Sequence, residues 1–126
     1  MGTRPARPVV VDSGGLIAFE RGDRAVRSLL RSADQVVIPA GVVAQVWRGS
    51  ARQARVAQLL RARNATIEPL DEDTARVVGV LCAHTGTSDV IDASVALAAQ
   101  IHDAVVVTSD PDDLRRLVPG IDLVVC

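Results

Sequence analysis

Asp12, Asp89, Asp92 and Asp110 are the residues whose type and spacing could do chemistry. Asp12 ends the apolar run Pro8-Val9-Val10-Val11, and Asp110 follows a second run, Ala104-Val105-Val106-Val107-Thr108-Ser109. Asp89 and Asp92 stand three apart at the start of the apolar stretch Val90 to Ile101. In an open α/β sheet the functional crevice lies outside the carboxyl ends of the strands. Two strand-end acids and a pair on one helix face could meet there, since positions i and i+3 share a face. Clustered carboxylates repel one another unless a cation neutralises them. All-oxygen ligands of this kind suit Mg²⁺ or Mn²⁺, so the chain reads first as a metal-dependent enzyme acting on phosphate.

Each acid also has a plainer reading. Asp12-Ser13-Gly14-Gly15 fits a helix cap followed by a turn, as well as a carboxylate beside free backbone N–H groups. Asp89 fits a helix-start acid favoured by the dipole. That reading is weaker for Asp92, because Ala93, Val95, Ala96, Ala98 and Ala99 mark its helix as buried, and an acid there needs a partner. Asp110 fits an N-cap, with Asp112 and Asp113 as first-turn charges and Thr108 or Ser109 able to orient a metal or its water.

The elements that must position these residues follow from pattern. Val9–Val11, Val36–Ile38, Thr66–Glu68, Ala104–Thr108 and Leu123–Val125 are short, β-branched and bounded by polar residues or Pro. Most are continuously apolar, as in a sheet covered on both faces. Helical patterns lie between them: Leu16–Glu20, Ala25–Ser32, Val42–Trp47, Ala54–Arg63, Asp71–His84, Ser88–Ile101 with Ser88 as cap, and Pro111–Val118 with Asp110 as cap. Alternating strands and helices predict an α/β fold, a three-layer α/β/α sandwich with a mainly parallel central sheet. Residues 1–126 are expected to form one domain, since this length supports a single core.

Composition narrows the function. One Phe, one Trp and no Tyr leave little for a reader of nucleic acid built on stacked aromatics. A net charge of −1 gives no global attraction to nucleic acid. Charge is nevertheless uneven: Gln35 to Ile67 carries five arginines and no acid. Arg48, Arg52 and Arg55 fall at i, i+4 and i+7 if the helices run on through Gly49, and such a ridge is a candidate contact for an RNA backbone. All basic residues are Arg, so mechanisms that require a lysine are excluded. His84 and His102 stand singly at helix ends, which argues against metal-free nuclease chemistry. Glu20 is close to the first site but fits better as part of a helix closing at Gly22. Cys82 and Cys126 make neither a disulfide framework nor a zinc site. No signal-peptide pattern and no membrane-length run is seen, so the cytoplasm is the expected compartment.

Taken in order, Val10-Val11-Asp12-Ser13, then Val37-Ile38-Pro39 leading into Val43-Ala44-Gln45-Val46, then Asp92-Ala93-Ser94-Val95-Ala96, then Val106-Val107-Thr108-Ser109-Asp110, resemble the PIN-domain nucleases, especially the VapC-type toxins of bacterial toxin–antitoxin pairs. The resemblance covers nearly the whole chain; no one motif is specific, but the ordered set is. It implies a metal-dependent endoribonuclease using Mg²⁺ or Mn²⁺, with Asp12, Asp92 and Asp110 as metal ligands and Asp89 as a ligand or a positioner of water. Ser13, Gln45 and Thr108 would support those ligands from behind. The family usually has Glu where this chain has Gln45, so one charge is missing, and Asp89 could restore it. The resemblance also implies a cognate antitoxin, whose basic tail would enter the acidic crevice through an Arg. The apolar residues of Val42 to Leu60, including Trp47, would offer it a groove, and the same helices could pair a homodimer.

Two other readings stay open. A receiver domain or a haloacid-dehalogenase-type phosphatase has a similar layout, but both hold their phosphoryl group with a lysine that this chain lacks. An inactive PIN fold that binds RNA or a protein partner is compatible with Gln45, because fold alone never secures activity.

Overall fold

The computed structural model describes residues 7–126. Five parallel strands form the central sheet: β1 (Val9–Val11), β2 (Val36–Pro39), β3 (Ala65–Glu68), β4 (Val105–Thr108) and β5 (Leu123–Val125). Their order is β3-β2-β1-β4-β5. Val9 pairs with Val36 on one side and with Val105 on the other, so β1 is central. Every residue of β1 and β2 is buried, as the continuous apolar runs require, whereas the edge strands β3 and β5 are partly exposed. The strand order reverses between β1 and β4, the place where parallel sheets open a crevice.

Seven helices complete the α/β/α sandwich: α1 (Ser13–Arg21), α2 (Arg24–Ser32), α3 (Ala40–Val46), α4 (Ala54–Leu60), α5 (Glu72–Thr85), α6 (Val90–His102) and α7 (Pro111–Leu117). Each was anticipated within a few residues, with informative exceptions. α1 begins at Ser13 rather than Leu16, because the Asp12 carboxylate accepts the Gly15 N–H at 2.8 Å and starts the helix early. α6 is capped by Asp89, not Ser88: the Asp89 side chain accepts the N–H groups of Ile91 and Asp92.

The expected run of helix through Gly49 is absent. α3 ends with Trp47 in an extended conformation, and Gly49 has φ 70°. The buried Gln53 side chain replaces the missing turn, donating to the Val46 carbonyl and accepting the Arg48 N–H, each at 2.8 Å. Arg48, Arg52 and Arg55 are therefore not a single helical ridge. Nor do the apolar residues of this region make a groove, since Val42, Val46, Val56 and Leu59 are spent on the core and only Trp47, 38% exposed, stands out. No helix of the described residues is long and apolar enough to cross a membrane.

The crevice depends on a close approach of α1 to β4. A Cβ on Gly15 would meet the Val107 carbonyl oxygen at 2.6 Å, and one on Gly14 would overlap the Ser109 side chain. Backbone cannot yield there as a side chain can. Gly15→Ala is expected to lower unfolding free energy by about 1–3 kcal/mol in urea titration. Gly79→Ala, mid-α5 with nothing within 4 Å, is expected to raise it by about 0.5–1 kcal/mol.

Candidate active site

Asp12 and Asp110 follow the two strands that flank the reversal, β1 and β4. Thr108, fully buried at the end of β4, accepts the Asp110 backbone N–H at 2.9 Å, and its hydroxyl is near enough to Asp12 to help lower that carboxyl's pKa. Asp12 is itself buried, 6% exposed. Burial raises its pKa above the ordinary range, and the hydrogen bonds from Thr108, Gly15 and Gly14 draw it part of the way back.

α6 leads into β4, so it runs against the strands and its first turn lies at their carboxyl edge. That places Asp92 in the same crevice, half-buried. Burial first, then the charge of Asp89, and then those of Asp113 and Asp110 push Asp92 up to about 7. The Asp110 carboxyl is raised chiefly by a hydrogen bond shared with Asp113. Asp12 adds its charge to Asp110 as well, so the electrostatic coupling runs from β1 through α7 to α6.

Asp113 is the residue that reading the sequence missed, having been assigned to a first-turn charge. It lies at i+3 from Asp110, the same spacing that singled out Asp89 and Asp92, and that signal was available. Asp112 fits the plainer reading, pairing with Arg115 at 3.6 Å on the surface. Asp89 is exposed and its carboxylate is engaged in capping α6. It still contributes charge to Asp92, and both line a cavity of about 310 Å³ with Asp113, Thr87 and Arg116.

Ser13 and Gln45 meet at the other rim, where the Ser13 hydroxyl donates to the Gln45 side-chain oxygen. Gln45 thus reaches the neighbour of Asp12 from α3 and brings no charge there. Beyond it lies a cleft of about 530 Å³ lined by Gln45, Glu20, Arg21, Arg48, Arg52 and Gln53. α1 closes at Gly22 in the left-handed conformation, as expected. His102 is bound to Glu68 of β3 at 2.7 Å, and His84 is exposed in the last turn of α5; neither lines either opening. Cys82 is buried and Cys126 exposed, both as free thiols.

The acids come together in coupled pairs rather than as a finished cage. Among the described residues no three Asp, Glu, His or Cys side chains are grouped closely enough to hold one ion. Convergence of four acids within reach of one ion is therefore not met in this arrangement. The reasons are local: Asp12 is held by Gly15 and Asp89 by its own helix start, while uncompensated carboxylates repel.

The model of the PIN domain matches residues 9–118. No curated protein sequence matches significantly. Among solved structures, a toxin–antitoxin complex from Klebsiella pneumoniae is 22% identical, with TM-score 0.65 over 92% of this chain and 95% of that one. VapBC2 from Rickettsia felis bound to a promoter DNA fragment is 14% identical, with TM-score 0.66 over 94% and 98%. PAE2754 from Pyrobaculum aerophilum is 18% identical, with TM-score 0.60 over 97% and 92%. At these identities the likeness establishes the fold.

The raised pKa of Asp92 has a testable sign. Its proton is held more tightly in the folded than in the unfolded chain, so the stability linked to it falls as pH rises from about 4 to about 7. Asp92→Asn removes that loss. In metal-free buffer at pH 7.5 it should melt about 4 °C higher than wild type, for roughly 1 kcal/mol after discounting for solvent screening. The difference should shrink towards zero at pH 4. A lower melting temperature at both pH values would mean that Asp92 is a structural partner.

Proposed function

We propose that this chain, which belongs to the PIN-domain family, is a metal-dependent endoribonuclease and the toxin of a toxin–antitoxin pair. One observation carries the catalytic reading: at the strand-order reversal neighbouring acids raise Asp92 and Asp110, Asp12 among those acting on Asp110 and Asp113 acting on both, with the exposed Arg116 paired to Asp113 at the rim. A donor set of carboxylate oxygens that raise one another's pKa fits a hard divalent cation. It does not need three ready-made ligands, because Mg²⁺ keeps several waters and takes one or two carboxylates together with substrate phosphate. Asp12, Asp92 and Asp110 would hold the ion, one or two of them directly and the rest through its waters. Bound there, it supplies a water of lowered pKa and charge to offset that developing on the phosphate.

The protein's own groups have definable tasks. Gly15 N–H fixes the Asp12 carboxylate, and the Thr108 hydroxyl beside it holds the backbone at Asp110. Asp92 can take up or release a proton near neutral pH, a useful property beside a nucleophile. Asp89 holds the α6 start, and its charge adds to burial in raising the Asp92 pKa. Ser13 and Gln45 stiffen the rim on the β1 side. The arginine-lined cleft next to Gln45 is the path for an RNA strand, its cations facing the backbone phosphates.

The toxin reading is supported by the family and by neighbours described as toxin–antitoxin complexes. A cognate antitoxin with a basic segment that enters the acid crevice, a homodimeric state and a cytoplasmic location belong to the same proposal. Gln45 in place of an acid keeps a second reading in view, an inactive fold that only binds RNA or protein.

Cleavage of a structureless RNA with Mn²⁺ separates the two. Wild type should cut, and Asp12→Asn should lose more activity than the about 10–100-fold typical of losing an outer partner. Absence of cleavage by wild type would favour the inactive reading. Gln45→Glu should tighten Mn²⁺ binding by restoring a charge beside Ser13. Asp89→Asn keeps a good cap and should leave unfolding free energy within about 0.5 kcal/mol, so any change in its metal affinity reports charge alone.

A further inference from the structure

The guanidinium of Arg27 on α2 has two nitrogens, Nε and Nη2, shut away from solvent with no hydrogen-bond partner. A second guanidinium approaches it. Arg27 Nη2 and Arg55 Nη1 lie 2.8 and 3.6 Å from the same point, where a Cβ on Gly22 would stand. Among the described residues, neither arginine has an ion pair within 4 Å. Arg55 also lines a cavity of about 160 Å³ together with Arg31, Gln58 and Asn64. A shielded cation without a partner is costly, and a second cation near the same point makes it more so.

We infer that Arg27 and Arg55, with Arg31 on the wall of the cavity that Arg55 lines, form a binding site for a phosphate group of a nucleic-acid strand. Guanidinium forks match the oxygens of a phosphate in pairs, and an anion between them removes both the repulsion and the missing hydrogen bonds. Position favours a strand over a free ion. Arg55 lies one short turn beyond Arg52, which lines the cleft that begins at Gln45 beside Ser13 and Asp12. A strand cut at the acids therefore meets Arg48, Arg21 and Arg52, and then the Arg27–Arg55 pair. Glu20 is the one carboxylate among the residues lining that cleft, and the segment from Gln35 to Ile67, which carries Arg48, Arg52 and Arg55, has none. The site rests on the ribonuclease reading for its strand, but not for its affinity for phosphate.

Two arms test it, with Arg55→Gln as the exposed variant and Arg27→Gln as the shielded one. In the first, inorganic phosphate is titrated into the full chain and followed by NMR of the arginine side chains. Wild type should bind and each variant should bind about tenfold more weakly. Phosphate binding unchanged in Arg55→Gln, or poly-glutamate binding more tightly than phosphate, would overturn the site in favour of none or of a partner's carboxylates. In the second, a labelled oligoribonucleotide of about twelve nucleotides is compared with one of about four, in EDTA. Arg55→Gln should weaken only the longer one and flatten its slope of log affinity against log salt by about 0.7. Equal loss for both lengths, or an unchanged slope, would overturn the strand path. RNA left intact by wild type with Mn²⁺ would count against the ribonuclease reading and leave the phosphate arm standing.

Discussion

Mutual repulsion of neighbouring carboxylates, some of them buried, is the constraint around which this molecule is arranged. Asp12 is buried at the end of the central strand, and burial and neighbouring charge raise the pKa of Asp92 while Asp113 and Asp12 help raise that of Asp110. An apolar core supplies the stability that tolerates this. β1, β2 and the inner face of α6 are almost wholly Val, Ile and Ala, buried without a polar interruption between Val9 and Val11 or between Val36 and Ile38. The acids begin where those runs stop.

The fold concentrates the charge because a parallel sheet sends every strand's carboxyl end the same way. β1 and β4 lie side by side although almost the whole chain separates them, and the order reversal leaves room between the loops that follow. α6 runs the other way and delivers Asp92 by its first turn. Gly14 and Gly15 let α1 press against β4. Thr108 then holds the Asp110 backbone N–H with its hydroxyl, which also helps lower the Asp12 pKa.

The strands were legible because a buried parallel strand leaves a plain mark, a short β-branched run with polar ends. β5 matches to the residue, and β1 likewise. Asp12, Asp92 and Asp110 were legible for the same reason, since an acid closing an apolar run or entering an apolar helix conflicts with its surroundings. What stayed hidden depends on contacts made at a distance. The break between α3 and α4 is fixed by Gln53 folding back on Val46 and Arg48, which no periodicity announces. Asp113 acts through Asp110 and Asp92, and in sequence it looks like any first-turn acid. Arg27 and Arg55 are far apart in the chain, and the fold brings both beside Gly22.

If repulsion among these acids is what a cation relieves, binding must release the proton held by Asp92. Titration calorimetry of Mn²⁺ at pH 6.5, repeated in buffers of different ionisation enthalpy, measures that proton directly. Wild type should release about one proton per ion bound, and Asp92→Asn should release close to none while binding more weakly. No binding, or the same proton release from Asp92→Asn, would contradict the account.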